Sequence, residues 1–187
     1  TLTEGKPSVE KIEWRSPGDK AEMEKVLAGL ERLSEHPLAE AVVRHFNNGI
    51  SDIQFENVKS ITGMGIEGFH KGRKYYAGGS RLIAENHISI VPELGALADQ
   101  WEEEAKTVVF FADQNEVLAV LSVYDRLRET SSAAVAQIRE LGIDVRMITG
   151  DNAKTASAVA KKSGIEKFEA MMLPSAKSAY VASLQNA

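Results

Sequence analysis

The chain has 187 residues, 43% hydrophobic and 26% charged, an ordinary globular usage, with a net charge of -5 and a pI near 5.5. That acidic balance excludes a sequence-independent nucleic-acid binder, which needs a basic surface. Zero cysteines exclude disulfides, thiol catalysis and thiolate metal sites, and 4 scattered histidines make no zinc cage.

Apolar runs fall short of the roughly 20 residues a membrane helix needs, and no signal peptide opens the chain, so a soluble piece is expected. Thr1-Leu2-Thr3-Glu4 reads as the middle of a longer protein. Val9, Ile12 and Trp14 suggest a strand leaving a first lobe, broken at Ser16-Pro17-Gly18, after which Asp19 is placed to cap a helix. From Lys20 to Leu33, Met23, Val26, Leu27 and Leu30 recur at helical spacing. A second helix is expected from Pro37 to about Asn47, with Leu38, Ala41, Val42 and Phe46 inward and Asn48-Gly49 stopping it.

Between Ile53 and His70 the pattern becomes strand-like: Ile53, Phe55 and Val58 alternate, Thr62-Gly63-Met64-Gly65 interrupts, and Ile66 to Phe69 resumes. Lys71-Gly72-Arg73 turns the chain into Lys74 to Ala77, and Gly78-Gly79-Ser80 closes a twisted antiparallel meander. A short helix to about Glu85 follows, then an amphipathic one from Glu93 to Glu104 bearing Leu94, Leu97 and Trp101. Thr107 to Phe111 and Val117 to Val123 read as a hairpin. After Tyr124 helices (Ser131 to Leu141, Ala153 to Ser163, Pro174 to Gln185) alternate with a buried strand (Val145 to Ile148), which implies a parallel sheet. The expected domains are 1-13 with 116-187, and an inserted lobe of 14-115.

Proline at a first helical position leaves His36 at a helix mouth, where the imidazole either meets a flat ligand or merely precedes the helix. Glycines at 63, 65, 78 and 79 either admit a ligand close to the backbone or simply make turns. Their convergence with Glu31 and His36 in one small lobe favours a pocket. Thr149-Gly150-Asp151-Asn152 follows a buried strand and precedes a helix, where a hydroxyl and free amides hold a phosphoryl group or Asp151 and Asn152 only cap. Lys177 would bring a positive charge to that edge or stand as a surface lysine. Asp125 and Arg128 act as a hinge pair or cap the next helix.

These motifs together resemble the cytoplasmic catalytic region of heavy-metal-transporting P-type ATPases, particularly the copper branch. Thr1-Leu2-Thr3 looks like the tail of that family's Asp-Lys-Thr-Gly-Thr-Leu-Thr phosphorylation loop, Ser34 to Leu38 is similar to its Ser-Glu-His-Pro-Leu signature, and Gly63-Met64-Gly65 to its Gly-x-Gly loop. Asp125 with Arg128, Thr149 to Asn152, and Pro174 with Lys177 resemble its later motifs.

The resemblance implies an α/β fold in which a nucleotide-binding lobe, a twisted antiparallel sheet with flanking helices, is inserted into an incomplete haloacid-dehalogenase-like parallel α/β phosphorylation domain. By that analogy Glu31 and His36 engage the adenine of ATP, Gly63, Gly65 and Ile66 line the pocket, and Thr149, Gly150, Asp151 and Lys177 serve phosphoryl transfer. Gly79 is the weaker candidate, because the family often has Asn there. The phosphorylated aspartate would lie before Thr1 and part of the magnesium (Mg2+) site beyond Ala187, so this fragment would bind ATP without forming the aspartyl phosphate. Partners implied are ATP and the pump's actuator and membrane domains, with this region cytoplasmic. The alternative is a soluble phosphatase of the haloacid-dehalogenase superfamily, or a non-catalytic interaction module, with a cap domain.

Overall fold

A computed structural model describes residues 2–16, 18, 20–46 and 53–185. The chain divides into two compact units, a larger one of Lys6–Trp101 with Lys106–Asp125, and a smaller one of Thr1–Gly5, Glu102–Ala105 and Arg126–Ala187.

The larger unit is built on a six-stranded antiparallel sheet of β1 (Ser8–Trp14), β2 (Glu56–Ile61), β3 (Gly65–His70), β4 (Arg73–Gly78), β5 (Thr107–Asp113) and β6 (Val117–Tyr124). Their spatial order is β1-β6-β5-β4-β3-β2. β5 and β6 are almost continuously buried, which is why their sequences are unbroken apolar runs rather than alternating ones. Helices cover both faces. α1 (Lys20–Glu31) and α2 (Pro37–His45) press Val26, Leu27, Leu30 and Val42 onto Ile66, Tyr75, Ala77, Phe111 and Leu121. On the other face α3 (Ser80–Glu85) and α4 (Pro92–Glu103) bring Leu82, Ile83, Leu94 and Trp101 onto Tyr76, Val108, Phe110 and Val120.

Two readings of the sequence change here. β1 is hydrogen-bonded to β6, with Ile12 opposite Leu121, so it belongs to the sheet of the larger unit and is not a strand leaving a first lobe. Ile53 and Phe55 precede β2 and pack on the α1-side core. β2 itself is an exposed edge strand with Val58 facing solvent, so that alternation marks a lead-in segment. The hairpin of β3 and β4 turns on Lys71 and Gly72, both at positive φ (50° and 75°), as a two-residue loop of this twist requires. The expected cap at Asp19 and the stop at Asn48-Gly49 lie outside the described residues.

In the smaller unit β7 (Arg146–Ile148) and β8 (Lys167–Glu169) pair in parallel, joined through α6 (Ala153–Ser163), with α5 (Ser131–Glu140) and α7 (Pro174–Gln185) beside them. Val135, Met147, Ala156, Ala160 and Ile165 form its core. Gly164 ends α6 at φ 73°, a left-handed cap that costs glycine little. β8 gave no sequence signal: its Lys-Phe-Glu is too short to show a period.

Candidate functional site

In the larger unit the stretch from Glu31 to Leu38 is a relay of local hydrogen bonds. The Ser34 amide donates to the Glu31 carbonyl at 3.0 Å, the His36 amide to Ser34 Oγ at 3.3 Å, and the Leu38 amide to His36 Nδ1 at 3.2 Å. His36 is therefore the N-cap of α2, with Pro37 at the first helical position, and Nδ1 satisfies one of the donors a helix start leaves unpaired. Since that nitrogen accepts, the proton of the neutral ring sits on Nε2, on an exposed imidazole.

Glu31 closes α1 with only 5% of its surface exposed. Among the described residues no hydrogen bond or ion pair reaches its carboxylate, and burial pushes its pKa from 4.5 up to about 7. Buried carboxylates are rarely left without a partner.

The two glycine pairs meet. Gly65 lies opposite Gly78 across β3 and β4. At φ 146°, a Cβ on Gly65 would stand 2.2 Å from the Ala77 carbonyl oxygen and 2.6 Å from Gly78 Cα, and one on Gly78 would stand 2.2 Å from the Met64 oxygen. These two glycines are required by the approach of backbone to backbone. Gly63 turns the chain at φ 73°, and the Gly79 amide ties the loop down by donating to Met64 oxygen at 2.9 Å. Gly79 itself has room for a side chain, since a Cβ there would lie 3.9 Å from its nearest neighbour, the Met64 oxygen. Ile66 is 1% exposed and turned into the α1-side core beside Leu30. Leu30 also packs over Gly68 on β3, which sets the end of α1 on the same face of the sheet as Ile66.

In the smaller unit Thr149 follows β7. Its amide donates to Glu169 oxygen at 2.9 Å and its carbonyl accepts from Met172 at 3.0 Å. Thr149 Oγ1 donates to Asp151 Oδ2 at 2.6 Å and accepts from the Asp151 amide at 3.2 Å, so the two side chains are already bonded to each other. Capping falls to Asn152 alone, whose Oδ1 accepts from the Thr155 amide at 3.0 Å. Gly150 has ordinary space, since a Cβ there would lie 3.6 Å from Met172 oxygen. Lys177 lies one turn into α7, its amide bonded to the Leu173 carbonyl at 3.0 Å. That helix begins just after Met172, the residue held by Thr149.

Asp125 and Arg128 are not a pair and do not cap α5. Asp125 Oδ1 accepts from the Lys6 amide at 3.1 Å, and Arg128 Nε donates to the Thr3 carbonyl at 2.8 Å. Sequence reasoning passed over Glu102, whose Oε1 accepts from Asn152 Nδ2 at 2.8 Å. Its position in a run of three glutamates gave no sign of that role.

A family model described as a haloacid dehalogenase-like hydrolase matches residues 1–182. The chain belongs to that family. Among proteins of known kind, this haloacid dehalogenase-like chain is 39% identical over 193 residues to "Probable copper-transporting ATPase PacS" of Synechococcus elongatus, covering 100% of this chain and 25% of the relative. It is 33% identical to the silver exporting P-type ATPase of Salmonella typhimurium, covering 99% and 22%. The chain thus spans about a quarter of the length of the curated relatives it matches. In fold it resembles the catalytic domain of the CPx-ATPase CopB-B, with TM-score 0.74 at 19% identity over 100% of this chain and 63% of that one. A zinc-transporting PIB-type ATPase gives TM-score 0.59 at 28% identity, over 100% and 30%.

Proposed function

We propose that this chain is the nucleotide-handling region of a heavy-metal, copper-class P-type ATPase, in which the larger unit binds ATP. The observation that carries the reading is Glu31, a buried carboxylate with no partner among the described residues, at the foot of the relay that holds His36. Desolvating such a group costs free energy that the fold does not recover from any hydrogen bond. A ligand bearing its own donors and acceptors would recover it. In this reading Glu31 and the Nε2–H of His36 address the adenine, Gly63 and Gly65 leave room for it beside their backbone, Ile66 supports that loop from the core, and Gly79 stands at the rim.

The smaller unit carries the phosphoryl side of the reaction. The Gly150 amide and the α6 N-terminus offer hydrogen bonds to phosphoryl oxygens, the bond from the Thr149 hydroxyl to Asp151 holds that loop in shape, and Lys177 adds positive charge. In the parent pump the terminal phosphoryl of ATP passes to an aspartate, and hydrolysis of that aspartyl phosphate is coupled to metal movement across the membrane. The catalytic region then works on the cytoplasmic side, with actuator and membrane domains as its partners. Magnesium accompanies ATP in such chemistry, but among the described residues no group of three His, Asp or Glu could hold a metal ion, and no step is assigned to one. Nor is any helix among them long and apolar enough to cross a membrane.

Calorimetric titration of the 187-residue chain with ATP tests the reading. Saturable binding that weakens in His36→Gln supports it; an absence of binding by a folded chain overturns it.

A further inference from the structure

We propose that Glu102 is a positioning residue for the phosphoryl loop: its carboxylate fixes the side-chain amide of Asn152, and through it the start of α6 and the Gly150 amide just before it. This rests on the reading of the smaller unit as the phosphoryl side and adds to it a residue from a distant part of the chain.

Glu102 lies in the last turn of α4, and Glu102–Ala105 belong to the smaller unit. The residue is 8% exposed, and its Oε1 accepts from Asn152 Nδ2 at 2.8 Å. Asn152 Oδ1 accepts the Thr155 amide at 3.0 Å, which makes Asn152 the N-cap of α6. An asparagine amide can be turned over, exchanging its oxygen for its nitrogen. Turned over here, it would set its NH2 against the Thr155 N–H, donor to donor, and its oxygen against the Glu102 carboxylate, acceptor to acceptor. The cap therefore has one orientation, and Glu102 selects it.

A second tie reaches the same helix. Lys162 Nζ, in the last turn of α6, donates to the Glu104 carbonyl at 2.8 Å. Residues 102–104 thus hold α6 at both ends, which fixes where the helix begins as well as how it is capped.

That beginning matters because of what the loop before it leaves unbonded. The carbonyls of Thr149 and Asp151 accept the amides of Met172 and Met171 at 3.0 and 2.8 Å, and the Thr149 hydroxyl donates to Asp151. Among the described residues no hydrogen bond takes the Gly150 amide. Ala153 opens α6, where a first-turn amide has no acceptor within its own helix. What the loop keeps for a ligand is donors, and their spacing depends on where α6 starts. A phosphoryl group, which presents acceptors, suits them. A carboxylate is a poor direct partner for such a group, so Glu102 acts by holding Asn152 and not by touching the ligand.

The test is an amide chemical-shift titration of the isotope-labelled 187-residue chain with inorganic phosphate, with thermal melts to confirm folding. Wild type is expected to show saturable shifts at Gly150 and Ala153. Glu102→Leu keeps the bulk and loses the acceptor. It is expected to weaken phosphate binding roughly five- to tenfold, the worth of one hydrogen bond, and to move the Asn152 side-chain NH2 signal. Glu102→Gln keeps an acceptor and removes a negative charge, and is expected to bind phosphate at least as tightly as wild type. Rescue by Gln and not by Leu separates positioning from packing. Asn152→Ser keeps a cap on α6 but has no donor for Glu102, and is expected to lose the same factor as Glu102→Leu. A folded Glu102→Leu chain that binds phosphate as wild type does overturns the inference, as does a Glu102→Gln chain as weak as Glu102→Leu. So does an Asn152→Ser chain as tight as wild type, whether or not Glu102→Leu folds. Absence of phosphate shifts in folded wild type overturns the phosphoryl reading of the smaller unit together with the inference.

Discussion

His36 Nδ1 accepts the Leu38 amide at 3.2 Å, and this one bond gives the imidazole two jobs: it caps α2 and it aims an Nε2–H donor outward. The jobs separate by substitution. His36→Asn keeps a good N-cap and loses the ring, so ATP affinity is expected to drop two- to tenfold, about 0.5–1.5 kcal/mol, with the melting temperature nearly unchanged. His36→Gln weakens ATP binding by a similar factor without unfolding the chain. His36→Ala loses both functions and also about 1 kcal/mol of stability. Calorimetry and thermal melts on the three variants check this.

Gly65 and Gly79 should respond oppositely. Gly65→Ala forces a Cβ to 2.2 Å from the Ala77 oxygen at a φ of 146°, and backbone has nowhere to yield, so a loss of about 3 kcal/mol or more is expected in urea melts. Gly79→Asn finds open space. It is expected to leave stability within about 0.5 kcal/mol and to raise ATP affinity through the added amide.

Burial raises the folded-state pKa of Glu31 from 4.5 to about 7. The stabilisation of its neutral form is complete below 4.5 and is lost as pH rises through 7. Replacing it by Gln should therefore change stability little at pH 4.5 but stabilise the chain by about 3 kcal/mol at pH 8.5. Denaturant melts of both chains at the two pH values measure the difference.

Asn152 divides its amide between the Thr155 N–H and Glu102. Asn152→Ala is expected to cost about 1–2 kcal/mol as a lost cap, and more if Glu102 stays desolvated. Asn152→Asp keeps the cap but sets a carboxylate against Glu102, so its deficit should grow with pH above about 5. Thermal melts across pH distinguish the two.

Long periodic segments were legible because each reports a face. Val26, Leu27 and Leu30 on α1, and the unbroken apolar runs of β5 and β6, fell where the sequence put them. The fate of β1 was not, since a short strand of mixed residues carries no label for its partner, and only its register with β6 assigns it to the sheet. At the site, the Pro37 signal located the helix start and hence His36. The glycines were found but their reason was not: a sequence shows the missing Cβ at positions 65 and 78, not that each is cleared for the other's backbone. Glu31 was legible as an acid at the end of a helix beside His36, but its burial was not, because solvent exclusion is a property of the packed core.

Amide chemical-shift mapping of the isotope-labelled chain with ATP tests the nucleotide site most directly. Saturable shifts centred on Glu31, His36, Gly63, Gly65 and Gly79 are predicted. Saturable ATP binding that leaves those amides unmoved, or no binding by the folded chain, would contradict it.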